Sequence, residues 1–103
     1  MSKAQLPSSL RIGGLEYTVG TVQQDVLGPD KLAQCDDVNP VIDLSEAMPY
    51  QRQRQILFHE CGEGILNSHF LEISHEQLSV LMTEALRVLD DNPKLRGYLW
   101  PTK

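Results

Sequence analysis

Apolar residues alternate with polar ones in the first half of this chain and recur at helical spacing in the second, and the two patterns do not mix. A period of two belongs to a strand with one buried face; a period near 3.6 belongs to a helix with one buried stripe. A chain that separates the two along its length folds as α+β. Within residues 9–23, Leu15, Tyr17 and Val19 alternate with Glu16 and Thr18, and Gly13-Gly14 supplies the positive φ angles of a two-residue hairpin turn. Val41-Ile42-Asp43-Leu44 is a short strand expected to pair with that hairpin. The intervening residues 24–40 carry turn signals at Gly28-Pro29-Asp30 and Asn39-Pro40. The expected fold is therefore α+β: a small antiparallel sheet from residues 9–23 and 41–44, packed on two main helices at about 50–68 and 75–91.

The helical half has readable ends. Pro49 suits a first helical turn, where its missing N–H removes no bond. Ser74-His75-Glu76-Gln77 reads as a capping box, with Ser74 as N-cap and Gln77 at N3. The helix it opens carries Leu78, Leu81, Met82, Ala85, Val88 and Leu89 as a broad apolar stripe, and Asn92-Pro93 stops it. In the earlier helix Leu57, Phe58, Cys61, Gly62 and Ile65 share one arc, while His59, Glu60 and Glu63 share another flanked by Ile56 and Leu66. A helix apolar nearly all round is a buried one, so those three polar residues are expected away from open surface. Leu95, Tyr98, Leu99 and Trp100, in the closing segment, are expected to pack back onto the body.

Composition narrows the function. At 103 residues the chain is one domain, 1–103, and 41% hydrophobic residues suffice for a compact core. Nine Lys+Arg against fourteen Asp+Glu leave a formal charge of −5, the wrong sign for tracking nucleic-acid phosphates. No apolar run approaches the ~20 residues of a membrane span, and the first residues lack a signal peptide's apolar region, so a cytoplasmic location is expected. There Cys35 and Cys61, far apart in sequence, are expected as reduced thiols, Cys61 as a small buried hydrophobe.

The segment His59-Glu60-Cys61-Gly62-Glu63 carries the chemistry. Residues i and i+4 of a helix lie one above the other, so the His59 ring and the Glu63 carboxylate converge on one point, as zinc ligands must. Glu60 points slightly aside, where a general base stands to take a proton from water activated by the ion. The arrangement is that of the H-E-x-x-H zinc proteases with the second histidine replaced by glutamate.

On these residues the chain resembles the zincin-like metallopeptidases. More closely, it looks like a small phage or prophage group related to the metallopeptidases that cleave phage immunity repressors. The resemblance rests on the Gly-Gly hairpin, Cys35-Asp36 leading to Val41-Ile42-Asp43-Leu44, the Leu57-Phe58-His59-Glu60 helix, and the closing Val88-Leu89-Asp90-Asp91-Asn92-Pro93. It implies one zinc ion, with His59 as first ligand, Glu60 as catalytic base, Glu63 in the place of the second histidine, and a glutamate early in the next helix as third ligand. Glu76 is nearest to that spacing, with Glu84, His75 and His69 as alternatives; Glu76 lies opposite the buried face that Leu78, Leu81 and Ala85 define. The implied partner is a protein or peptide substrate.

Plainer readings stand beside these. His59 and Glu63 also suit a buried hydrogen-bonded pair. Glu76 suits a favourable charge at a helix N-terminus. His69 and His75 suit solvated loops. Gly62 and Gly64, which weaken a helix, imply close approach of the strands or room for a substrate. A carboxylate in place of a neutral imidazole makes zinc a weaker Lewis acid, so the expected activity is weak or absent. A non-catalytic binding protein that keeps the scaffold is the alternative function, and an accessory module with no site is a third.

Overall fold

The computed structural model describes residues 5–102, and these form an α+β fold with a mixed sheet on one side and helices on the other. Strands β1 (Ser9–Ile12) and β2 (Leu15–Val22) make the expected hairpin. Its turn is Gly13-Gly14, with φ of 59° and 86°. A short helix α1 (Gln24–Leu27) follows, then β3 (Ala33–Asp36) and β4 (Val41–Ser45). Helices α2 (Tyr50–His69), α3 (His75–Asp91) and α4 (Pro93–Leu99) complete the order. None of the described helices is long and apolar enough to cross a membrane.

The sheet order is β1-β2-β4-β3. Val41–Leu44 does pair with the hairpin, but the expectation of an all-antiparallel sheet is corrected: β4 runs parallel to β2, Val19 opposite Ile42. Parallel neighbours need a crossover of a dozen or more residues, and residues 23–40 supply one through α1 and β3. β3 then folds back antiparallel on β4, from Asp36 opposite Val41 to Ala33 opposite Leu44. The Asp36 carboxylate holds that turn by accepting from the backbone N–H groups of Val38 and Asn39 at 3.0 and 3.3 Å.

The core lies between sheet and α2. Tyr17, Val19, Ile42 and Leu44 are buried, with Ile12 beside them, and Ile56, Leu57 and Cys61 pack against this cluster from α2. Leu15 ends the alternation at the turn and is exposed. Two glycines let the layers close. A Cβ on Gly64 would meet Ile12 Cγ2 at 2.9 Å, and one on Gly62 would meet Leu78 Cδ1 and Met82 Cγ at 2.9 Å. The close approach of a strand expected from the sequence holds at Gly64, against β1; at Gly62 the expectation is corrected, because the neighbour there is helix α3.

α3 begins as expected: Ser74 caps it and Gln77 completes the box. Its buried stripe is narrower than the sequence implies. Leu78 is fully covered and Met82, Ala85, Leu86 and Leu89 are half-buried, whereas Leu81 and Val88 are exposed. One neighbouring helix covers a single arc, and residues on its edge stay out. Pro49 is the N-cap of α2 rather than its first residue. The closing segment does not fold back as a tail; it forms α4, with Pro93 at its start, and Tyr98 and Trp100 remain exposed.

Candidate metal centre

α2 presents His59 and Glu63 on one flank, and their closest atoms, Nε2 and Oε1, are 3.7 Å apart. The third group is His75, the first residue of α3. Its ring centroid lies 4.9 Å from that of His59. One ligating atom from each of His59, Glu63 and His75 lies within 4.8 Å of the others. Zinc bonds of about 2.1 Å in a tetrahedron put ligand atoms about 3.4 Å apart. The His59–Glu63 spacing is already close to that. The His75 side chain is exposed at the helix start, and its ligating atom lies within 4.8 Å of the other two.

Why His75 arrives there is a local matter. The capping box fixes the first turn of α3, because Ser74 Oγ accepts from Gln77 N–H and Gln77 Oε1 accepts from Ser74 N–H, both at 3.0 Å. Leu78, 2% exposed, then seats this turn against Gly62. His75 is consequently held beside His59 and Glu63. The assignment of Glu76 as third ligand fares differently: Glu76 is exposed in that first turn and does not join the cluster. Its position suits the favourable charge at a helix N-terminus. Glu84 pairs with Arg87 at 3.2 Å, and His69 is exposed at the end of α2.

Glu60 is the buried member of the group, 7% exposed. It borders the same clefts as His59 and His75, one of which measures about 310 Å³ and opens between the Asp30–Ala33 loop and the two helices. Burial, reinforced by the nearby Glu63 charge and opposed by Lys31, pushes the Glu60 carboxyl up to about 7. Burial and the adjacent His75 push the His59 imidazole below its usual range, against the pull of Glu63. Neutral imidazole is the form that binds a metal.

Sequence reasoning missed the contribution of the strand layer. Lys31, Ala33 and Cys35 line a cleft with His59, Glu60, Glu63 and His75. Gln24 holds that wall: its side-chain amide donates to the carbonyls of Gly28 and Lys31 at 2.7 and 2.6 Å, and its Oε1 accepts from the buried Ser45 hydroxyl. The Gly28-Pro29-Asp30 turn was the only local signal for this loop. Cys35 is a free thiol, pushed up to about 11 by burial and by the Glu60 charge, so it stays protonated and acts as a neutral wall. Comparison of the chain with protein-family models, curated proteins and solved structures finds no match.

Proposed function

We propose that this protein is a zinc-dependent hydrolase of the metallopeptidase type, acting on peptide bonds at a modest rate. The observation that carries the reading is the convergence of His59, Glu63 and His75 beside the buried Glu60. Two imidazoles and one carboxylate are a donor set of hydrolytic zinc sites, which keep a fourth position open. The resemblance to the zincin-like phage and prophage group supports the same reading, with His75 rather than Glu76 completing the set. Bound there, zinc would supply a Lewis acid for the scissile carbonyl and would lower the pKa of water to near neutrality.

The chain's own residues supply the rest. Glu60 sits one residue past His59, borders the cleft, and is held near pH 7 by its burial. A carboxylate poised there accepts a proton from the attacking water and returns it to the leaving amine. Lys31, on the facing loop, keeps a positive charge near Glu60 and favours its ionised form. The negative charge that Glu63 adds limits the Lewis acidity of the ion, which is the reason for expecting a modest rate.

The test is hydrolysis of a mixture of unstructured peptides by the purified, zinc-loaded protein. Cleavage that a chelator stops, and that falls at least about a hundredfold in Glu60→Gln while zinc content is kept, is the expected result. Zinc binding without cleavage in the wild type would overturn the hydrolase and leave a non-catalytic metal centre.

A further inference from the structure

The cleft beside the metal centre is uneven in charge. One arm of it encloses about 200 Å³ between α2 and α3, where Arg52, Gln55, Ser79 and Thr83 line it beside His59 and His75. Among Asp, Glu, Lys and Arg side chains, Arg52 alone lines this arm. The carboxylates lie elsewhere: Asp30 and Glu60 border the neighbouring arm, and Glu60 and Glu63 the one that reaches Cys35. Ser79 and Thr83, one helical turn apart, present their hydroxyls from one face of α3.

The accounting of cations singles out the same residue. Arg11, Arg54 and Arg87 are ion-paired with Glu16, Asp90 and Glu84. Arg96 donates to the backbone carbonyls of Leu89 and Asp90. Among the described residues that leaves Lys31, Arg52 and Lys94 with neither kind of partner, and the first two both border the cleft. Arg52 donates one N–H to the Gln55 side-chain oxygen at 2.9 Å, and the Gln55 amide in turn donates to the Thr83 hydroxyl at 3.5 Å. The guanidinium is thus steadied from the side and keeps its other N–H groups for a ligand. A chain of net charge −5 repels anions over most of its surface. An unpaired arginine at the edge of its candidate site reverses that locally.

On the hydrolase reading, which this inference rests on, we propose that the Arg52 arm is a carboxylate subsite and that the substrates are acidic peptides. A carboxylate is the anion a peptide offers, from Asp or Glu or from its own C-terminus, and its two oxygens match the planar guanidinium fork. The Ser79 and Thr83 hydroxyls add neutral donors on the facing wall. Arg52 precedes His59 by seven residues, about 10 Å along the helix. An extended peptide advances about 3.3 Å per residue, so the bound carboxylate falls within about three residues of the bond held at the metal centre. Arg52 acts here as a specificity residue and takes no part in the proton transfers of Glu60.

Binding, measured apart from cleavage, tests this. The probes are labelled unstructured peptides in which every third residue is Glu, Gln or Lys, each made with a free and an amidated C-terminus. Fluorescence anisotropy follows their binding to the zinc-loaded Glu60→Gln protein, which holds them uncleaved. The Glu peptide is expected to bind at least about fivefold more tightly than the Gln peptide if side chains occupy the arm. A Gln peptide that weakens by the same factor on amidation assigns the arm to the chain terminus instead. Adding Arg52→Gln should erase whichever preference is seen, Arg52→Glu should turn it toward the Lys peptide, and Lys94→Gln, away from this arm, should leave it unchanged. Arg52 is exposed, so its variants are expected to keep the wild-type circular dichroism. Equal binding of all the peptides, or a preference that survives Arg52→Gln, would overturn the subsite. Acidic selectivity of binding together with a wild type that cleaves nothing would overturn the hydrolase and keep the subsite.

Discussion

Glu60 and the two helix glycines are the residues whose environment departs furthest from their ordinary chemistry. Glu60 titrates near 7 in the folded chain against an ordinary value of 4.5. Its folded pKa is raised, so between these values the native state binds the extra proton and stability falls as pH rises through that window. For protein freed of metal, Glu60→Gln is predicted to be more stable than wild type at pH 8, by up to about 3 kcal/mol, and no more stable at pH 4. Urea unfolding at the two pH values with chelator present reads the difference, and equal stability at pH 8 would contradict the burial. Alanine favours a helix over glycine by about 1 kcal/mol. At Gly62 the new methyl would meet Leu78 Cδ1 and Met82 Cγ at 2.9 Å, and Leu78 is fully covered; at Gly64 it would meet Ile12 Cγ2 at 2.9 Å, and Ile12 is buried. Gly62→Ala and Gly64→Ala should therefore each lose about 1–3 kcal/mol. Thermal melts of both variants would show the loss, and a variant as stable as wild type would contradict the packing.

Among the elements, those decided by neighbours in sequence were legible beforehand and those decided across the sheet were not. The Gly13-Gly14 hairpin, the Ser74 capping box and the stop at Asn92-Pro93 each depend on a few adjacent residues, and each forms where the sequence put it. The parallel pairing of β2 with β4 depends on where β3 lies, and β3 itself, Ala33-Gln34-Cys35-Asp36, lacks the alternation of large apolar side chains that marks a strand. The buried stripe of α3 is narrower than its apolar pattern, with Leu81 and Val88 exposed, because its width is set by the partner helix and not by α3. One element-scale prediction follows from the capping box. Ser74→Ala leaves the Gln77 N–H without its acceptor and should lower stability by about 1 kcal/mol. It should also weaken zinc binding, since His75 is the residue the cap positions. Titration with a competing chelator measures this second effect, and unchanged affinity would mean that His75 does not ligate.

For the whole molecule, the candidate metal-binding side chains lie in the helix layer, while Lys31, Ala33 and Cys35 wall the cleft from the strand side. His59, Glu60 and Glu63 were visible in the sequence because a helix brings i and i+4 together regardless of the rest of the fold. The third member of the cluster was not decided by spacing: Glu76 and His75 are adjacent, and it is His75 that joins His59 and Glu63, with Leu78 packed against Gly62 in the same turn of α3. Lys31 and Cys35 reach the cleft through a crossover that the sequence marks only by its turns, not by the direction in which they carry the chain. Because the proposed ligands come from α2 and α3 alone, zinc should tie the two helices together, and its removal should lower the Tm without abolishing the fold. The most direct measurement is metal content per chain for wild type, His59→Ala, His75→Ala and Glu76→Ala after loading with zinc and desalting. One zinc per chain is predicted for wild type and Glu76→Ala, with loss of zinc in His59→Ala and His75→Ala. A wild type that retains no zinc, or a His75→Ala variant that keeps it while Glu76→Ala does not, would contradict the account.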